Sequence, residues 1–218
     1  MNVAIKHIIM SIPKTVYFNL RYLPFQQAIR FPIVIHWKTR VLNMKRFALE
    51  IRGGVKTASV RIGFPYQGFP YSPAVINITG KCYVHGKANI QSECELNISG
   101  FLSIGENFDC NQGTIINAKA ESSIGDNVLV GQRCYFSDDD GHKIYCVGEN
   151  RRTNEKVGYH IDDHVWITRE CKIMKGCKVP KDCVVAAGAV VTKQFEDGQC
   201  ILAGVPAKVV KRDIMWEK

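Results

Sequence analysis

Residues 161–196 read IDDHVW ITRECK IMKGCK VPKDCV VAAGAV VTKQFE, six hexapeptides in unbroken succession. Each opens on an aliphatic residue: Ile161, Ile167, Ile173, Val179, Val185 and Val191. Four places on, the residue is usually small (Val165, Cys171, Cys177, Cys183, Ala189), until Phe195 ends the run. A strict period of six is neither the 3.6 of a helix nor the plain alternation of a strand. It fits short strands joined by tight turns, each sending one aliphatic side chain inward, wound into a parallel β-helix. Three such strands make an 18-residue triangular coil. Ile161 is then expected over Val179, and Arg169 over Ala187.

The same register recurs as Ile78, Val84, Ile90, then Ile104, Cys110, Ile116, then Ile124, Val130, Phe136, with irregular steps between the groups. Gly86, Gly105, Gly125, Gly131, Gly176 and Gly188 fall at the turns, where positive φ is expected. Cys82, Cys94, Cys134, Cys171, Cys177 and Cys183 each follow an inward aliphatic by four, a place suited to a small hydrophobe. A step of six carries successive cysteines to different faces of the prism, so their sulfurs do not converge as tetrahedral zinc requires. No metal is expected.

At 218 residues and 24.5 kDa, the chain is one large domain or one domain with a small appendage. With 46% hydrophobic and 22% charged residues, wholesale disorder and collagen-like fibres are excluded. No apolar run approaches a membrane span. Lys6 and Lys14 bracket the apolar cluster at Ile8, Ile9 and Met10, so no clean signal peptide is read, and a cytoplasmic protein with reduced thiols is expected.

Three regions are expected. Residues 1–60 carry Pro13, Pro24 and Pro32 and suggest short helices capping the β-helix. Residues 61–195 form the β-helix, with an irregular surface loop at 63–73 and a polar loop ejected at 137–160. Residues 196–218 form a tail. The first region holds ten bases and a single acid, Glu50, so the whole net charge of +9 sits there. Such a face attracts anionic partners. Its aromatic residues (Tyr17, Phe18, Tyr22, Phe25, Phe31, Trp37), interleaved with the bases, suit peripheral contact with the inner face of an anionic membrane. The competing expectation is that they only cap the open end of the prism.

The runs IGDNVLVGQ at 124–132, VWITRECKIMKGCKVPKDCVVAAGAVVTK at 165–193 and ILAGVPAKVVK at 201–211 resemble the hexapeptide-repeat acyltransferases. The likeness is best to galactoside and maltose acetyltransferases and polysaccharide O-acetyltransferases, and covers about residues 76–215. It implies an all-β, left-handed parallel β-helix, a homotrimer, and acetyl-CoA lying in a groove between subunits. Within it, His142 of SDDDGHKI matches the family's general base, with Asp138 or Asp140 holding the second ring nitrogen. Asn111 aligns with an active-site asparagine, whose amide suits the acceptor hydroxyl or the oxyanion; a plain turn asparagine is the alternative. Trp166, Arg169 and Ala187 match positions lining the pantetheine arm. Thr192, Lys193, Lys208 and Lys211 match positions at the coenzyme's nucleotide end. The chain departs from the pattern at Thr168, where Gly is usual, and at His164, which is given no role.

The resemblance therefore implies an acetyl-CoA-dependent O-acetyltransferase acting on a sugar hydroxyl of a polysaccharide or its precursor. N-acetylation of a nucleotide-linked amino sugar is the neighbouring alternative. A zinc hydratase on the same fold would need His85, His160 and His164 to converge, and they do not sit at that family's positions. A non-catalytic scaffold or nucleic-acid binder is the remaining class, but the bases belong to no recognised nucleic-acid module.

Overall fold

A computed structural model of the chain describes residues 3–65 and 72–218. Most of the aromatic, proline-rich stretch at 63–73 lies outside the described residues. Three parallel sheets form the faces of a prism. Face A has nine strands, from Ile33–Ile35 to Lys208–Lys211; face B has seven, from Arg40–Val41 to Val190–Val191. Face C has six, from Leu49–Ile51 to Lys178–Val179.

The period-six residues are the interior. Ile161 pairs with Val179, Ile167 with Val185 and Ile173 with Val191, each pair one coil apart and each residue at most 2% exposed. Earlier coils are longer: Ile78 lies on Ile98, Val84 on Ile104, Ile90 on Cys110. The added length lies on face B, where strands of four send two side chains inward, as Leu96 and Ile98 do. This is the source of the irregular steps. Eight of the nine cysteines are buried, and burial pushes the Cys82 and Cys177 thiols up to about 12, so these sulfurs stay protonated packing groups.

Turn glycines serve two purposes. Gly86, Gly176 and Gly188 have positive φ. Gly105, Gly125 and Gly131 do not; a Cβ on any of them would lie 2.4–2.6 Å from atoms of the coil above. Stacking of the coils, not backbone handedness, demands glycine there.

The segment 1–60 is not all cap. Helix α1 spans Val3–Tyr22, α2 spans Phe25–Ala28, and the first coil of the β-helix begins at Ile33. Insertions stretch the first steps, in which Ile35 lies on Ile62 and Ile62 on Ile90, and this hides the period. The tail also joins the prism: Ile201–Ala203 adds a parallel strand to face A, and Lys208–Lys211 returns antiparallel against it.

Helix α1 runs along the open edge of Ile33–Ile35 and docks through polar side chains. Asn19 donates to the Ile33 carbonyl (2.7 Å) and accepts from its N–H (3.2 Å). Thr15 does the same at Ile35 (3.3 and 3.2 Å), and Ser11 accepts from the Trp37 N–H (3.0 Å). Four helical residues rise about 6 Å and two strand residues about 6.6 Å, so a row at i, i+4, i+8 keeps pace with alternate strand residues. The row supplies the ladder partners that a missing coil would have given. Asn19→Leu should therefore lower stability by about 2–4 kcal/mol, because it buries two unpartnered backbone groups. Urea denaturation would show this, with exposed Leu20→Ala as the nearly neutral control.

Candidate active site

The ejected loop starts where face B should turn into face C. At lower corners two successive N–H groups share one carbonyl of the next coil: Ser99 and Gly100 both donate to Ala118 at 3.0 Å. One coil higher the chain departs, and the carboxylate of Asp138 stands in. It accepts from the N–H of Lys119 (2.8 Å), the N–H of Ala120 (2.9 Å) and the hydroxyl of Ser122 (2.8 Å). Asp138 is fully buried. Its oxygens are engaged in closing the prism, so it does not orient His142, contrary to what the resemblance implied.

Asp139 and Asp140 clamp the root of the loop from both sides. Lys119, at the corner below, donates to Asp139 (2.7 Å) and holds its carboxyl below the usual range. Lys175, at the corner above, pairs with Asp140, and Asn154 adds a bond of 2.9 Å; the Asp140 pKa is lowered for these reasons in that order. Asp140 is therefore also not the partner of the histidine ring. Asn154 is the hub, donating to the His142 carbonyl (2.7 Å) and accepting from the Ile144 N–H (2.8 Å). An antiparallel bridge between Tyr145 and Arg152 folds the loop as a hairpin. On its return, Gly158 passes so close that a Cβ would lie 1.6 Å from the Glu121 carbonyl oxygen.

His142 follows Gly141, whose φ is 85°, at the head of this clamp. Its backbone is held and its ring is exposed; among the described residues no group hydrogen-bonds the ring. An imidazole so placed is free to meet a proton donor arriving from outside the chain.

Asn111 lies on face A, beside Gln91 in the coil below. Gln91 donates to its side-chain oxygen (2.9 Å), which turns the amide NH₂ away from that bond. Trp166 is partly exposed on the same face, three coils above Gln91 and two above Asn111 by strand pairing. Arg169 and Ala187 stack at the corner between faces A and B, where the Gly188 N–H meets the Arg169 carbonyl (3.1 Å). Thr168 turns its hydroxyl back onto the Val185 carbonyl (2.8 Å), so the departure from Gly is absorbed locally. Thr192 and Lys193 follow the last strand of face B, whereas Lys208 and Lys211 lie on the return strand of face A. One chain places these two pairs on different faces.

His164 has a structural task that its sequence context did not indicate. It pairs with Asp182 (2.8 Å), stacks on Trp216 at 4.3 Å, and its carbonyl accepts the Trp216 indole N–H (3.1 Å). Trp216 in turn lies 5.9 Å from Trp166. His85 bonds Ser103 and His160 bonds Ser123, so the three histidines of the hydratase alternative each have separate partners. Lys119, Lys175 and Asn154 were not singled out from the sequence. The period could have located both lysines, as corner residues one coil either side of the loop.

Comparison with known proteins bears on this geometry. A polysialic acid O-acetyltransferase of Escherichia coli O1:K1 / APEC is 32% identical over 136 residues, 62% of this chain and 44% of that one. An uncharacterized 24.8 kDa protein in the cps region of Klebsiella pneumoniae is 29% identical over 90% of this chain and 86% of that one. The crystal structure of the polySia specific acetyltransferase NeuO superposes with a TM-score of 0.60 at 22% identity, covering 85% and 84% of the two chains. The chain has the motifs and the fold of the hexapeptide-repeat acyltransferases. Its coils accordingly wind left-handed, which the period alone does not dictate. The chain spans about half the length of the first curated relatives it matches. No family model matches it.

The clamp has a calculable pH window. Carboxyls held below their ordinary value near ~4 stabilise the loop fully above that value and lose the contribution only as pH falls through their lower folded values. Above about pH 5 both carboxylates are charged, so a pH-dependent rate in the neutral range does not come from them. Asn154→Ala should loosen the hairpin without unfolding the prism. Faster tryptic cleavage at Arg151 and Arg152, with an unchanged melting transition, would check it.

Proposed function

We propose that the protein is an acetyl-CoA-dependent O-acetyltransferase that acts on a sugar hydroxyl of a polysaccharide or its precursor, with His142 as the general base. The observation that carries this reading is the exposed imidazole, unpartnered among the described residues, on a clamped loop of a fold shared with acetyltransferases. Similarity to two polysialic acid O-acetyltransferases supports the carbohydrate acceptor and transfer to oxygen.

A sugar hydroxyl is a weak nucleophile. The His142 ring takes its proton as the oxygen attacks the thioester carbonyl, and the tetrahedral oxyanion collapses with loss of the coenzyme A thiolate. The imidazolium then returns the proton to that sulfur. The products are the acetyl ester and free coenzyme A. The amide of Asn111 is suited to donate to the oxyanion or to place the acceptor hydroxyl. Trp166, Arg169 and Ala187 offer a wall for the pantetheine arm, and Lys193, Lys208 and Lys211 offer cations for the phosphates, with Thr192 beside them. Asp138 and Asp140 act as positioning residues. They fix where the imidazole stands and leave its tautomer to the bound partners.

An exposed His142 and two lysine pairs on different faces fit a homotrimer, in which the neighbouring chain completes each site and reunites the two lysine sets. Sedimentation should return the mass of three 24.5 kDa chains; a monomer at working concentration would count against the shared site. Acetyl-CoA places the reaction in the cytoplasm.

His142→Ala should reduce kcat by about 10²–10⁴-fold with folding intact, and a variant that keeps the wild-type rate would overturn the assignment. The product should release acetate under mild alkali, as an ester does. An alkali-stable product would establish N-acetylation of an amino sugar instead.

A further inference from the structure

Helix α1 turns most of its aliphatic residues away from the prism. Its inward face buries Phe18 and is otherwise lined by Ser11, Thr15 and Asn19, which bond the edge strand. Its outward face carries Ile5, Ile9, Ile12, Val16 and Leu20 at steps of three and four residues, all exposed, with Ile9 at 50% and Ile12 at 53%. A stripe of that spacing runs straight along one side of a helix. It continues over an apolar cleft of about 240 Å³ between α1 and the first strand, lined by Ile8, Ile12, Val16, Phe31 and Val34 among others. Just past the helix, Phe25 is 73% exposed.

By helical periodicity Lys6 and Tyr17 border the stripe on its other side and Arg21 lies further round, and all three are exposed. Helix α1 contains no acid, and Glu50 is the only one in residues 1–60. Packing this face against a second copy of itself would bring like charges together. An anionic lipid surface would satisfy both halves: headgroups neutralise the bases, and the hydrocarbon boundary takes up the aliphatic side chains. No helix among the described residues is long and apolar enough to cross a membrane, so α1 would lie in the interface rather than span it.

We infer that the outward face of α1 is an interfacial membrane anchor, seating the N-terminal end of the prism on an anionic bilayer. The helix is ordered before it binds, because its polar row fastens it to the strand edge. The arrangement sharpens the membrane-or-cap choice left by the sequence: the polar row and Phe18 cap, and the exposed aliphatic residues are left for the lipid.

The test is co-sedimentation of the full chain with phosphatidylglycerol–phosphatidylcholine vesicles and with pure phosphatidylcholine vesicles. Binding to the first, weakened by salt, is expected. Ile9→Glu with Ile12→Glu should lower it by roughly 100-fold or more, and Lys6→Glu with Arg21→Glu should abolish the preference for anionic lipid. Oligomeric mass by light scattering, and acetyl transfer to a soluble acceptor, should be unchanged in both variants. The proposal is overturned if the wild type ignores anionic vesicles at low salt, or if the isoleucine variant binds undiminished. A changed oligomeric mass in that variant would overturn it too, by making the face a subunit interface. Failure here leaves the activity of the wild type on soluble acceptors as a separate question.

Discussion

The parallel backbone ladder sets each coil about 4.8 Å above the last, so every inward side chain must rest on the one beneath it. The columns Ile124–Ile161–Val179 and Val130–Ile167–Val185 are that constraint made visible. Each buried aliphatic contributes about 1.5–3 kcal/mol, and a misplaced one disturbs two neighbours rather than one. At the corners the same spacing removes Cβ atoms, which is why Gly105, Gly125 and Gly131 are glycines without positive φ. The ladder can be left and rejoined at a corner, as the ejected loop does between faces B and C, or varied within a face, as in the bulge at Gly63 and the longer strands of face B.

A ladder also has two ends, and this chain closes them differently. At the C-terminal end the backbone folds over itself, and Lys208–Lys211 pairs antiparallel with Ile201–Ala203. At the N-terminal end Ser11, Thr15 and Asn19 imitate a missing strand with side chains. The second solution uses up the polar residues of α1 on the inside. What remains outside is aliphatic and basic.

Three consecutive aspartates open the loop, and their chemistry alone suggested a partner for His142. Each instead has structural ligands: backbone N–H groups and Ser122 for Asp138, Lys119 for Asp139, Lys175 and Asn154 for Asp140. A carboxylate so engaged is well placed to hold a loop and poorly placed to follow a proton. Among the described residues the imidazole has no internal orienter, which is consistent with a site finished by another chain or by substrate.

The period of six, read from Ile161 to Val191, was enough to determine the prism, its interior columns and the inert burial of most cysteines, because each depends only on spacing along the chain. The position of the long polar interruption that carries His142 was legible for a similar reason, because it breaks the period between Phe136 and Ile161. The extent of the first coil was not legible, since the insertions between Ile35, Ile62 and Ile90 leave no repeat to read. Nor were the partners of Asp138 and Asp140, or the stacking of His164 on Trp216. These are contacts between residues brought together across coils or from the far end of the chain. The direction in which α1 faces belongs with them: Ile9 and Asn19 are equally plausible inward residues until the unpaired edge of Ile33–Ile35 is there to select the asparagine, because a bare backbone edge needs hydrogen bonds more than it needs hydrocarbon.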